Sequence, residues 1–132
     1  MDAAAQALVL EPDRFDVIVT ENLFGDILSD LGGATVGGIG VCAGANIGDQ
    51  AAYFEPIHGS APALAGQNKA NPLSAILAGK LMLHYLGEFG AANRLEQAVE
   101  GAFLQKTIVL RPDGSAESGT EAVAAAVMAQ LL

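Results

Sequence analysis

Residues 15–20 read Phe-Asp-Val-Ile-Val-Thr, and this short run limits the fold more than any other stretch of the sequence. A nearly unbroken apolar, β-branched run is the pattern of a strand covered on both faces, as in a parallel sheet whose strands are joined by helices. A helix is therefore expected to follow at once. Thr20 or Asn22 can cap it, because a side-chain oxygen there accepts from an orphan amide of the first turn. Before the run, residues 2–10 read as a short helix or the end of a longer one, halted ahead of Pro12. The fold class is α/β, with parallel strands and packed helices.

The remaining punctuation agrees with alternating elements. Residues 31–48 are uncharged, which raises the question of a membrane span, but seven of them are glycine and few are large and apolar. They are expected to form a glycine-rich loop with a short strand. Residues 53–57 read as a strand, and 58–66 (HGSAPALAG) as loop and turn. Asn71-Pro72 supplies an N-cap and a proline at the first helical position for a helix that runs to Leu86 and stops at Gly87. A second amphipathic helix fits 91–105, with Leu95, Ala98, Val99, Ala102 and Phe103 inward. Arg111-Pro-Asp-Gly114 is turn chemistry, and Thr120 caps a last helix ending at Leu132. No repeat or linker divides the chain, so one core is expected.

Charge narrows the partners. Six basic side chains (Arg14, Lys69, Lys80, Arg94, Lys106, Arg111) stand singly against fifteen acids, for a net charge of −9, which disfavours nucleic acid. Cys42 is the only cysteine, so neither an intramolecular disulfide nor a thiolate metal cluster can form within one chain. A cytoplasmic setting fits. An acid at Asp2, where a secretory signal carries positive charge, argues against a targeting peptide.

The chemistry starts in the stretch 22–30, NLFGDILSD. On a helical wheel Leu23, Phe24, Ile27, Leu28 and Leu31 share one face, while Asn22, Asp26, Ser29, Asp30 and Gly33 share the other. Like charges four apart on a helix cost about 0.2–0.5 kcal/mol when nothing compensates them. A hard divalent cation, Mg²⁺ or Mn²⁺, would turn that cost into a gain, since it takes carboxylate oxygens together with water and substrate oxygens. The spacing alone fits either a solvated helix face or such a site.

Four motifs in register choose between these. VTENLFGDILSDL, GGIGVCAGANIGD, FEPIHGSAPALAG and KANPLSAILAGKLML resemble, in order and spacing, the C-terminal part of the isocitrate/isopropylmalate dehydrogenase family. The resemblance covers nearly the whole chain and well under half of a family enzyme. It implies a fragment of that fold, with residues 1–132 as a single partial domain. It also implies oxidation and decarboxylation of a 2-hydroxy acid bearing a β-carboxylate, using NAD or NADP and a divalent metal.

By the same resemblance Asp26 and Asp30 are the aspartates of the metal helix, and Asp2 is a third that reaches a neighbouring subunit's metal, so that a homodimer shares the site. Read alone, Asp2 has a second use as a terminal helix N-cap. His58, Gly59, Ser60 and Ala61 match the nucleotide loop, Asn71 the asparagine at the adenine end, and Glu55 a glutamate near the nicotinamide ribose. Small residues let backbone approach a cofactor, although HGSA is also an ordinary turn. Neither GxGxxG nor a P-loop is present.

Two departures stand out. Where the family carries an acid for NAD or a lysine for NADP, this chain has Ala63, which leaves the cofactor preference open. The family's catalytic lysine and tyrosine and its substrate arginines have no match here, so the catalytic residues are expected upstream. A di- or tricarboxylate substrate needs fixed positive charge, best from paired arginines. The alternative is a catalytically silent truncated paralogue or a self-associating helical scaffold. The motifs leave isocitrate, isopropylmalate, homoisocitrate and tartrate all open as substrates.

Overall fold

The computed structural model describes residues 2–132. Helix α1, Asp2–Leu10, ends where Pro12 begins a single 3₁₀ turn, Pro12–Arg14. Residues 15–20, the expected parallel strand, form no ladder. The one sheet among the described residues is an antiparallel pair, β1 (Ala43–Ile47) with β2 (Ala52–Pro56), in register Ala43 to Pro56 through Ile47 to Ala52. A strand needs a hydrogen-bonded neighbour, and none of the 131 described residues supplies one to this run. Val17 and Val19 are accordingly 81% and 92% exposed.

Helix α2, Asn22–Thr35, starts where the sequence places it, but Glu21 is its N-cap and no side chain caps it. Thr20 instead donates from Oγ1 to the Glu21 carbonyl at 3.3 Å. A Cβ at Gly25 would sit 3.3 Å from the Thr20 methyl, so glycine there lets the entering chain lie close to the first turn. The helix runs on through Gly32 and Gly33, residues expected in a loop. Gly33, expected on the polar face, is buried against Ile39 and Cys42. Only Leu28 of the apolar face is buried, and Leu23 and Ile27 are 61% and 51% exposed.

The core lies among three later helices: α3 (Leu73–Tyr85), α4 (Phe89–Leu104) and α5 (Thr120–Leu131). Leu73, Ala98, Val99, Ala102, Ile108, Ala116, Val123 and Val127 form one cluster, against which Ile76, Leu77 and Leu95 pack half-buried. Small residues on α4 let the helices approach closely. Phe103, expected inward, is exposed. Gln105 and Gln130 exchange two amide hydrogen bonds, 3.1 and 2.8 Å, between the ends of α4 and α5. Lys80 on α3 pairs with Glu96 on α4 at 2.8 Å. Ser74, fully buried, donates to the Cys42 carbonyl and so ties α3 to the sheet.

Candidate functional site

Three segments far apart in sequence meet beside the start of α3. The first is the loop 58–71, which includes a 3₁₀ turn at Pro62–Leu64. The second is the turn 111–115, and the third is the start of α5. Together with Ile39 and Gly40 they line a cleft of about 720 Å³, the size range of small-molecule sites. Its walls include His58, Gly59, Ser60, Ala61 and Asn71, five of the six side chains matched to cofactor contacts. Glu55 is not among them. It lies exposed on β2 opposite Gly44.

The cleft is built by side-chain-to-backbone bonds. Asn71 accepts from the Leu73 amide at 3.1 Å and donates to the Gly114 carbonyl at 3.0 Å. The first bond does the work of a cap even though Pro72 is the N-cap position of α3. Asn68 accepts at Oδ1 from the Glu121 amide at 2.9 Å, and Thr120 donates to the Ala70 carbonyl at 2.5 Å. Gly119, rather than Thr120, is the N-cap of α5. Gly114 has φ +78°, and a Cβ there would meet the Gly37 carbonyl oxygen at 2.7 Å, so only glycine closes this turn.

Ala61 has φ +42°, in the left-handed region, where the lack of a longer side chain limits crowding. His58 Nδ1 lies 2.9 Å from the Gly59 carbonyl oxygen. That contact requires Nδ1 to carry the hydrogen, leaving Nε2 as the acceptor of the neutral ring.

Several lining residues carry no signal in the local sequence. Asp113, Ser115 and Thr120 face the same cleft as Lys69 of the KANP motif, yet RPDG reads only as a turn and Thr120 only as a cap. Asp113 accepts at Oδ1 from the Ser115 amide, 2.9 Å, and from Ser115 Oγ, 2.6 Å. The Ser115 hydroxyl, then its amide, holds the Asp113 carboxyl below the usual carboxylate range. A second hollow of about 640 Å³ adjoins the cleft and adds Arg111 and Glu117 to its lining. Arg111 donates to the Ala116 and Glu117 carbonyls at 3.2 and 3.4 Å.

Asp26 and Asp30 are both exposed on α2, and Asn22 Nδ2 donates to Asp26 Oδ2 at 3.0 Å. Two carboxylates one turn apart fit a hard cation as a pair of oxygen donors. Among the described residues no three His, Cys, Asp or Glu side chains come together to hold a metal, so Asp2 does not join the pair within one chain. Asp2 Oδ1 accepts from the Ala3 amide at 2.8 Å, which lowers its pKa. Cys42 is half-buried, and burial pushes its thiol up, away from nucleophilic use. No helix among the described residues is long and apolar enough to cross a membrane.

The family model described as isocitrate/isopropylmalate dehydrogenase matches residues 1–127. The isocitrate/homoisocitrate dehydrogenase of Thermus thermophilus is 52% identical over 129 residues, 96% of this chain and 39% of that protein. The 3-isopropylmalate/3-methylmalate dehydrogenase of Methanocaldococcus jannaschii is 54% identical over 100 residues, 76% of this chain and 30% of that protein. A crystal structure of isocitrate dehydrogenase from Methylococcus capsulatus superposes with a TM-score of 0.87 at 46% identity, covering 98% of this chain and 39% of that one. A β-decarboxylating dehydrogenase from Thermococcus kodakarensis gives 0.83 at 42% identity, covering 98% and 38%. The chain thus spans well under half the length of the curated relatives it matches. With matched motifs, matched backbone and a family model over nearly every residue, this chain belongs to the isocitrate/isopropylmalate dehydrogenase family.

Proposed function

We propose that residues 1–132 are one partial domain carrying the metal- and nucleotide-binding portion of an NAD(P)-linked oxidative decarboxylase. Its substrate class is a 2-hydroxy acid with a β-carboxylate, of isopropylmalate or isocitrate type. The observation that carries this reading is the 720 Å³ cleft, whose wall includes His58 to Ala61 together with Asn71. Backbone and small side chains at Gly59, Ser60 and Ala61 give a dinucleotide room to lie against the chain, and Asn71 keeps one amide hydrogen for a base edge.

Asp26 and Asp30 would hold Mg²⁺ or Mn²⁺, with Asp2 of a second copy completing the set in a homodimer. When bound, such a cation stabilises negative charge developing on the substrate oxygen. The chain's own contribution is to fix two carboxylates on a helix face, where Asn22 orients Asp26. Substrate clamping by cations falls outside it. Arg14 pairs with Glu11 and Lys80 with Glu96, Lys69 and Arg111 lie at the nucleotide cleft and its neighbour, and Arg94 and Lys106 stand singly and exposed on α4 and just after it.

The test uses open space in the cleft wall. A Cβ at Gly59 meets nothing within 4 Å, so Gly59→Phe should fold normally while its ring obstructs the cleft. Titration calorimetry with NAD and with Mn²⁺ should show NAD binding lost in Gly59→Phe and Mn²⁺ binding lost in Asp26→Asn, each variant keeping the other ligand. Unchanged NAD affinity in Gly59→Phe sinks the cleft assignment, and unchanged Mn²⁺ affinity in Asp26→Asn sinks the metal pair.

A further inference from the structure

Ala63 leaves the nucleotide loop without a charged side chain at the position that the resemblance ties to cofactor choice, yet the cleft does contain a carboxylate, contributed by a turn about fifty residues further along. We propose that Asp113, positioned by Ser115, reads the adenosine ribose and makes this cleft select NAD over NADP. The inference rests on the dinucleotide reading above and deepens it.

The geometry supports Asp113 in three ways. Asn71, at the adenine end in that reading, donates directly to the carbonyl of Gly114, the next residue, so the turn carrying Asp113 adjoins the place where the adenosine would sit. Both hydrogen bonds from Ser115 go to Oδ1, which fixes the carboxylate and leaves Oδ2 to accept from another donor. A vicinal diol supplies such donors, and a carboxylate accepting from ribose hydroxyls is the usual device for the unphosphorylated dinucleotide. The same bonds keep Asp113 ionised through the physiological range.

A 2′-phosphate removes one donor and brings close to two negative charges toward that carboxylate. Two cations are near enough to compete for it. Arg111 lines the adjoining hollow rather than the cleft, and its guanidinium donates to the Ser115 hydroxyl at 3.4 Å and to the carbonyls of Ala116 and Glu117, so its charge reaches Asp113 from the side away from the cleft lining. Lys69 does line the cleft. Its share in the choice is separated from that of Asp113 by the Lys69→Ala variant below.

The experiment uses ADP-ribose and 2′-phospho-ADP-ribose, which lack the nicotinamide, titrated by calorimetry into the 132-residue chain. Wild type should bind ADP-ribose about tenfold to hundredfold more tightly, the difference made by a hydrogen bond to a charged group. In Asp113→Asn that ratio should fall to near unity with the circular dichroism spectrum unchanged, and in Ser115→Ala it should fall part of the way. A wild-type ratio near unity, or one unchanged in Asp113→Asn, overturns the assignment while leaving the dinucleotide site standing. An inverted ratio that Lys69→Ala abolishes overturns it in favour of Lys69. Should Asp113→Asn fail to fold, Ser115→Ala decides, and an unchanged ratio there counts against the proposal. If neither ligand binds wild type, the dinucleotide reading falls, and this inference falls with it.

Discussion

Asn71 serves two segments with one carboxamide, capping the first amide of α3 and holding the turn at Gly114. Replacement by alanine leaves the Leu73 amide and the Gly114 carbonyl without partners in a half-buried place, so Asn71→Ala should cost about 1–3 kcal/mol. Asn71→Asp should cost less, because the acceptor for Leu73 survives. Denaturant melts of the three proteins rank them; equal losses in both variants would mean that the bond to Gly114 dominates. The cap was legible in the sequence, since Asn-Pro before an apolar run is a local signal. The bond to Gly114 was not, because its partners are 43 residues apart and no periodicity encodes such a meeting. Ala61 was similarly opaque. Its positive φ is imposed by the loop, and nothing in the residue type announces it.

At the scale of elements, the helices were easy to read and their ends were not. Helices α1, α3, α4 and α5 fall within a few residues of expectation because each carries a stop signal or an apolar period. Helix α2 overruns its expected end into Gly32-Gly33, where close packing on Ile39 and Cys42 outweighs the low helix propensity of glycine. Of its expected apolar face only Leu28 is buried, while Leu23, Phe24 and Ile27 stay exposed and Gly33 of the expected polar face packs inward. Apolar side chains set along one stripe of a helix mark a surface for association. The chain should therefore sediment as a dimer at tens of micromolar (roughly the range in which modest apolar interfaces saturate). The double variant Leu23→Ser, Ile27→Ser should shift it toward monomer while keeping its helical signal. A monomeric wild type, or a variant that stays dimeric, would place the contact elsewhere.

For the molecule as a whole, family membership was legible because four motifs kept their order and spacing, a coincidence that no single motif could carry. The α/β class and the strands at 43–47 and 52–56 were as expected, whereas the pairing of residues 15–20 was misjudged because a strand is a property of two segments and the sequence displays one at a time. The same reasoning bounds activity. The purified chain should give no detectable NADH or NADPH with isocitrate, isopropylmalate, homoisocitrate or tartrate in the presence of Mn²⁺. An unplaced general acid or base alone costs about 10²–10⁴ in rate, and here no lysine-tyrosine pair or cationic clamp matches either role. Steady absorbance growth at 340 nm that Asp26→Asn abolishes would overturn this. Residues 15–20 have one more consequence. A run with Val17, Ile18 and Val19 in water, and without a ladder neighbour among the described residues, leaves its backbone open to pairing with a strand of another molecule. Asp16 is the only charge inside it, a single gatekeeper against stacking of like segments into fibres, so Asp16→Asn should lower the concentration at which the chain begins to associate strand to strand.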